Sequence, residues 1–418
     1  MTLAEAVATP IRKSARLETT APLRSASQTP LALAAKAQFG PLLFRAGKMH
    51  ASKTFYERML QADPASREAH AGLYYAHSAL EDKHTAASHL GQALHWPAIV
   101  TLPYRGAGAP VPILLLLSLN AGNVLILRFL NDRIFQTYVV IVEFCTSSTV
   151  LPPHRLVVNG IGDADVRSQA LEAAQSILAR TRAPVVNPPA AVLVTGRSSN
   201  AVRLSAVPGV LTPRTTDLPR KHLESANAAQ ILAGHGFSSP LLVRAPGYHM
   251  GQHFHRVDSP GQLPAALAEL PGSDVIVIEY LDGCGSDGKI RKYRVLMVGG
   301  HLYPVHLAIS SQWKIHYFSA EMEDHPEHRA EEAAFLSDMP AVLGLQTLTA
   351  LRGIQSALGL DYGGVDFGLN ARGQLLIYEA NATMAVYRPD PDPKWDYRRP
   401  SIERIYTAVR EFLLARAG

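Results

Sequence analysis

The stretch Leu358–Met384, LGLDYGGVDFGLNARGQLLIYEANATM, decides how the chain is read. It contains two apolar runs, Gly364–Leu369 and Gln374–Ala380, separated by the turn-forming Asn370–Gly373. Such a pattern predicts two strands joined as a hairpin. Side chains alternate across a strand, so Glu379 and Asn381 share one face while Tyr378 and Ala380 are expected to point away. Pairing in the hairpin brings Asp366 of the first strand to the face of Glu379 and Asn381. Two carboxylates and an amide oxygen converging there suit Mg²⁺, a hard ion that takes oxygen ligands and leaves positions for phosphate.

On either side, strands are expected at Pro240–Arg244, Asp274–Leu281, Lys292–Val298 and His301–Leu307. Helices are expected at about Glu327–Ser337, Met339–Leu358 and Ile402–Ala417. Strand pairs with helices on one side make 214–418 an α+β domain. Ahead of it, 99–213 reads as parallel α/β. Its elements are strands Val111–Leu119, Thr137–Phe144 and Arg155–Asn159, a helix over Val124–Asn131, and a long helix Asp165–Arg182 opened by the turn Gly160–Asp163. The third glycine of a dinucleotide fingerprint is missing after Gly160–Ile161–Gly162.

Residues 39–98 are helical in pattern, with segments Ala51–Ala62, Ala69–Leu80 and Thr85–His95. Pro64 and Pro97 lie 33 positions apart, and Gly72 and Tyr75 stand between them. This resembles one and a half to two tetratricopeptide repeats, and a plain helical hairpin reads equally from the residues. Residues 1–38 are Ala, Thr, Ser, Pro and Arg without periodicity, and a disordered basic leader is expected.

Composition narrows the function. The 418 residues carry 40 Lys and Arg against 35 Asp and Glu, a net +5. The first 60 hold nine basic residues and three acids, +6, so the rest carries −1. The basic pI is therefore mostly a property of the first 60 residues, and a nucleic-acid role is not expected. The longest apolar run, Val111–Leu119, is far short of the roughly 20 residues of a membrane helix, so no membrane partner is expected. Two cysteines, Cys145 and Cys284, make no disulfide framework, which points to a reducing, cytoplasmic setting. The 17 histidines form no HExxH or Cys/His ligand spacing.

The Asp366…Glu379-x-Asn381 arrangement resembles the metal site of ATP-grasp enzymes, particularly ligases of the glutathione-synthetase and RimK type. The resemblance runs from about 110 to 395, and it implies an ATP-grasp fold with ATP and two Mg²⁺ ions as cofactors. It also assigns roles upstream. Arg244 stands where a basic residue, usually Lys, contacts nucleotide phosphates. A mobile loop follows at Pro246–His253, here with two glycines and with His249, His253 and His255 as phosphate or substrate clamps. Val277–Leu281 resembles the adenine hinge, with Glu279 near the adenine amino group and Tyr280 and Leu281 supplying contacts. In Lys289–Arg294, Lys292 and Arg294 share a face, and Arg294 resembles the arginine that contacts the transferred phosphoryl or a substrate carboxylate. His306 takes the place of a further arginine. Lys314 and His316 share a face if Trp313–Tyr317 is extended, with Lys314 offsetting phosphate charge.

A carboxylate resists attack by an amine until ATP phosphorylates it, so the protein must supply cations and alignment rather than a nucleophile. The residues accordingly point to an ATP-dependent carboxylate–amine ligase acting on amino acids or peptides. Phosphoryl transfer to another acceptor, or a binding scaffold with a degenerate nucleotide site, are the alternatives. Substrate-wall candidates are Asn159–Asp163 and Thr212–Thr215, with Arg214 pairing a carboxylate. The helical repeats would dock a peptide or protein, and a homo-oligomer is expected by the resemblance.

Overall fold

The computed structural model describes residues 49–80, 82–93, 98–119, 122–246, 248, 251–317 and 320–418. The leader at 1–38, Trp96, Pro97 and the loop residues Gly247, His249 and Met250 lie outside them. Two compact units divide between Arg155 and Leu156.

The first unit begins with helices Met49–Ala62, Arg67–Ala79 and Lys83–Ala93. Ser66 caps the second by accepting from the Ala69 amide at 3.3 Å. Gly72 is required by packing: a Cβ there would sit 2.3 Å from the Tyr56 ring. Three strands follow, β1 (Ile99–Thr101), β2 (Val111–Leu117) and β3 (Phe135–Ile141). β3 pairs in parallel with β2 and antiparallel with β1, so the expected all-parallel arrangement has an antiparallel edge.

Two expectations fail in this unit. Val124–Asn131 is no α-helix; only Ile126–Arg128 forms a 3₁₀ turn, closed by the Arg128 amide on the Leu125 carbonyl at 3.2 Å. Eight residues repay helix nucleation poorly, and Asn123 is tied to both backbone groups of Ser118. The strand over Thr137–Phe144 ends at Ile141, because Glu143 turns to accept from Ser118 Oγ at 2.5 Å and the Leu119 amide at 3.1 Å.

The second unit opens with β4 (Leu156–Asn159) and β5 (Val185–Val186), which pair in parallel. The helix between them is shorter than its pattern, Ser168–Leu178. Asp163 Oδ1 accepts from the Asp165 and Val166 amides and holds those residues in a side-chain-closed turn. After helices Pro189–Leu193 and Arg197–Ser205 come β6 (Val210–Leu211) and β7 (Thr215–Pro219). β8 (Leu241–Arg244), β9 (Phe254–Val257) and β10 (Asp274–Glu279) complete an antiparallel sheet of order β7–β10–β8–β9. Leu218, Val243, Val257, Val275 and Val277 fill its core.

β11 (Ile290–Val298), β12 (His301–Ser310), β13 (Tyr362–Leu369) and β14 (Leu375–Asn381) build the other sheet, of order β12–β11–β13–β14–β6. All its pairs are antiparallel except β14 with β6. Helices Pro326–Ser337, Met339–Leu358 and Arg399–Ala417 accompany it. Asn187 binds this sheet to β5: its side chain gives Nδ2–H to the Tyr362 carbonyl at 2.6 Å and accepts from the Tyr362 amide at 2.9 Å. The expectation of mixed α/β and α+β architecture holds. Among the described residues no single helix is long and apolar enough to cross a membrane.

Candidate active site

Register places four polar side chains in one row across four strands. His306 on β12 faces Arg294 on β11, Arg294 faces Asp366 on β13, and Asp366 faces Glu379 on β14. Directly paired residues share a face, and Lys292 and Asn381, two positions along their strands, join it. Asp366, Glu379 and Asn381 are thus brought together as the spacing implied.

Asp366 is fully buried. Its carboxylate takes Arg294 in a fork, Nε to Oδ1 at 2.6 Å and Nη2 to Oδ2 at 2.8 Å, and Lys292 Nζ at 2.7 Å. Burial by itself raises the Asp366 pKa, but Arg294 and Lys292 more than reverse this and hold it far below the usual carboxylate range. Arg294 responds in kind: burial opposes its charge, and Asp366 carries its pKa above the ordinary value. Glu379 Oε1 accepts from Arg197 Nη2 at 3.0 Å, and Asn381 Oδ1 accepts from the Thr383 amide and hydroxyl, both at 2.9 Å.

His306 is the anomaly of the row. It is buried, its ring lies 4.3 Å from that of Tyr317, and neither ring nitrogen has a hydrogen-bond partner among the described residues. Burial, then the charge of Arg294, pushes its pKa well below the ordinary imidazole value, so it is neutral near pH 7. Behind it, Arg398 gives Nη1–H to Tyr317 Oη at 2.8 Å and pairs with the fully buried Glu332 at 2.6 Å. His316 is likewise lowered, by burial and then by Lys292.

A second group of cations lies toward β8 and β9. Arg244 is buried, with Nε lacking a partner among the described residues, while its guanidinium also reaches the Tyr248 carbonyl. Burial and the nearby Arg197 lower its pKa to about 10. Lys314 Nζ donates to the Phe254 carbonyl at 3.2 Å, and burial followed by Arg244 lowers its pKa too. Trp313–Tyr317 forms no strand, so Lys314 and His316 do not share an extended face; Lys314 attends Arg244, and His316 attends Lys292. Two of the three histidines expected to form the clamp are among the described residues. His253 Nδ1 lies 3.1 Å from the Glu269 carbonyl and His255 Nδ1 3.6 Å from the Glu269 carboxylate, so both lean on Glu269. His249 lies outside the described residues.

The hinge strand ends two residues earlier than expected, at Glu279. Glu279 Oε2 accepts from the Arg214 amide at 3.0 Å, and the Glu279 amide donates to the Arg214 carbonyl at 2.8 Å. The Arg214 guanidinium engages the Gly236 carbonyl, which leaves no support for its pairing a substrate carboxylate. Beyond the hinge, Tyr280 carries Arg256 over its ring at 4.1 Å. With Ile290 and Trp313 these line an open cavity of about 340 Å³, while Leu281 is half-buried.

Two residues went unnoticed in the sequence. Arg197, at the N-terminus of its helix, bridges Glu379 and Asp165; burial opposes its charge, and the two acids raise its pKa. Asp163, Asp165, Arg197, Glu379 and Asn381 line a small pocket. The other is Tyr378. Asp366 pairs with Glu379 but Phe367 pairs with Ile377, so Tyr378 is the extra residue of a β-bulge. Its hydroxyl packs onto Gly283 and Gly368, and Gly368 is two positions from Asp366 on the same face. Tyr378 therefore faces the site rather than away from it. The sequence held a hint in the glycines at 283, 363, 364 and 368, but strict alternation concealed it.

The donor chemistry of Asp366, Glu379 and Asn381 fits Mg²⁺: all are hard oxygens on one face, with Lys292, Arg294 and Arg197 holding the carboxylates in place. No family model and no curated protein matches the chain. Among solved structures it is similar to the VanG D-Ala:D-Ser ligase of Enterococcus faecalis, with 14% identity over 74% of this chain and 100% of that one, TM-score 0.46. It is similar to a RimK-domain ATP-grasp protein of Sphaerobacter thermophilus, with 15% identity over 72% and 99%, TM-score 0.44. The solved structures it resembles also include the ATP-grasp ligase PsnB in complex with a phosphomimetic variant of its minimal precursor, Mg and ADP, with 13% identity over 75% and 100%, TM-score 0.43.

Proposed function

We propose that the chain is an ATP-grasp ligase that joins a carboxylate to an amine on amino-acid or peptide substrates through an acyl phosphate. The observation that carries this reading is the row His306–Arg294–Asp366–Glu379, flanked by Lys292, Asn381, Arg197 and Arg244. Hard oxygen donors and fixed cations on one sheet face are what phosphoryl transfer needs, while a protein nucleophile is not.

In this reading the cavity at Tyr280, Arg256 and Trp313 takes the base, with the Tyr378 hydroxyl against the adjoining Gly283. Arg244, Lys314 and Arg197 bind the phosphates. Asp366, Glu379 and Asn381 would hold Mg²⁺, which would supply charge neutralisation when bound. The substrate carboxylate oxygen attacks the γ-phosphorus, ADP leaves, and Arg294 and Lys292 oppose the charge that builds on the transferred group. The amine then attacks the acyl carbon, a C–N bond forms, and inorganic phosphate departs with the former carboxylate oxygen. Holding the reactants in line contributes as much as the charges do.

The test is purified protein with Mg-ATP, an amino-acid and peptide pool, and hydroxylamine. ADP, phosphate and a hydroxamate support the ligase. A stable phosphorylated product without hydroxamate would assign the chain to phosphotransferases, and failure to bind ATP would reject both.

A further inference from the structure

Three imidazoles meet in the helical segment of the first unit, far in sequence from every residue discussed above. His70 and His77 stand two turns apart on the helix Arg67–Ala79, and His89 on Lys83–Ala93 packs between them. Ring centroids are 5.1 Å apart for His70 and His89, and 5.6 Å for His77 and His89. The decisive distance is His70 Nδ1 to His89 Nδ1, 2.9 Å.

Which nitrogens carry protons follows from the outer contacts. His70 Nε2 lies 3.1 Å from the Pro64 carbonyl, and only an N–H can face a carbonyl there. With the proton on Nε2, the His70 ring presents a lone pair at Nδ1, the atom 2.9 Å from His89 Nδ1. His77 is oriented in the same manner, with Nδ1 3.0 Å from Asp82 Oδ2. A carbonyl or carboxylate behind the imidazole is how proteins orient metal-binding histidines. His89 is half-buried. Neutral imidazole is the form that binds metal.

The spacing discriminates between ions. With metal–nitrogen bonds of about 2.0–2.1 Å, two ligands at a right angle lie about 2.9 Å apart, whereas tetrahedral ligands lie about 3.3–3.4 Å apart. The observed 2.9 Å matches the right angle of tetragonal or octahedral sites. The other imidazole cluster, His325 and His328 with Glu327, is less suited. Lys289 Nζ sits 2.7 Å from His328 Nε2, and the positive end of the helix Pro326–Ser337 lies alongside.

We propose that His70 Nδ1 and His89 Nδ1 are the two protein ligands of a Cu²⁺ or Ni²⁺ site, with water completing the shell and His77 packed behind His89. Cu²⁺ heads the affinity order for such a nitrogen site.

The experiment uses the full chain, stripped with EDTA and held in excess Mg²⁺ so that hard-oxygen sites are filled. Titration with CuCl₂ by calorimetry is expected to give one tight equivalent, and its Cu²⁺ EPR spectrum should show coupling to two nitrogens. His70→Ala and His89→Ala should each weaken that equivalent at least tenfold, while His325→Ala leaves it intact. Circular dichroism confirms that the variants remain helical, and His70→Gln serves if His70→Ala does not. No tight equivalent in the wild type, an EPR spectrum without nitrogen coupling, or unchanged binding in both histidine variants overturns the proposal. In that event the 2.9 Å contact is a shared proton only.

Discussion

Asp366→Asn is the sharpest probe of the row. The carboxylate is wholly buried and compensates two cations, Arg294 through two contacts at 2.6 and 2.8 Å and Lys292 at 2.7 Å. An amide keeps the volume and one acceptor but loses the charge, so both cations remain in a low-dielectric setting without a counter-ion. Breaking a buried pair from one side costs about 3–5 kcal/mol. For a unit of this size each kcal/mol lowers Tm by roughly 2–4 °C, so the fall should be roughly 6–20 °C. Urea and thermal unfolding followed by circular dichroism measure it directly. Because the row is a charge cluster, Arg294→Met should partly restore Asp366→Asn, an interaction opposite in sign to simple addition. If Asp366→Asn unfolds within about 1 kcal/mol of the wild type, the ion cluster does not exist in the free protein and the placement of Asp366 is wrong.

Three further outcomes are expected. His306 has a folded pKa below its unfolded value near 6.5, so the unfolded chain binds more protons. Its contribution to stability is complete above about pH 6.5 and shrinks as pH falls below that, and His306→Phe should flatten the fall between pH 7 and 5 in urea midpoints. Gly72→Ala forces a methyl into the Tyr56 ring and should destabilise the helical segment by about 1–3 kcal/mol, whereas Gly91→Ala, with open space at its Cβ, should not; local amide exchange separates the two. Tyr378→Ala should weaken Mg-ADP binding roughly tenfold without altering the far-ultraviolet spectrum, and unchanged affinity would remove Tyr378 from the nucleotide site.

The hairpin at Leu358–Met384 and the triad on it were legible because strand alternation and a short turn are local properties of sequence. The same is true of the second-unit strands and of the outer bounds of Met339–Leu358, a segment that Gly344 (φ 73°) breaks into two helices. What escaped depends on chain segments far apart. Asp366 as the partner of two cations requires β11 to lie beside β13, and Arg197 reaches Glu379 across 182 positions. The contacts of His253 and His255 with Glu269, on another element, escaped for a related reason. Val124–Asn131 misled because its apolar residues suit a helix while Asn123 fastens the segment to β2.

The bulge at Tyr378 has a consequence for how β14 can vary. By absorbing one residue, it resets the inside–outside phase of the strand, so that Leu376 and Glu379, three apart, face the same way. The strand is therefore two short reading frames rather than one. Residues 375–377 are all buried, while residues 379–381 carry the site side chains Glu379 and Asn381. Deleting Tyr378 would make Ile377 and Glu379 neighbours, opposite Phe367 and Asp366 as they already are, so the strand would lose its bulge and the ring against Gly283 and Gly368 while both halves keep their faces.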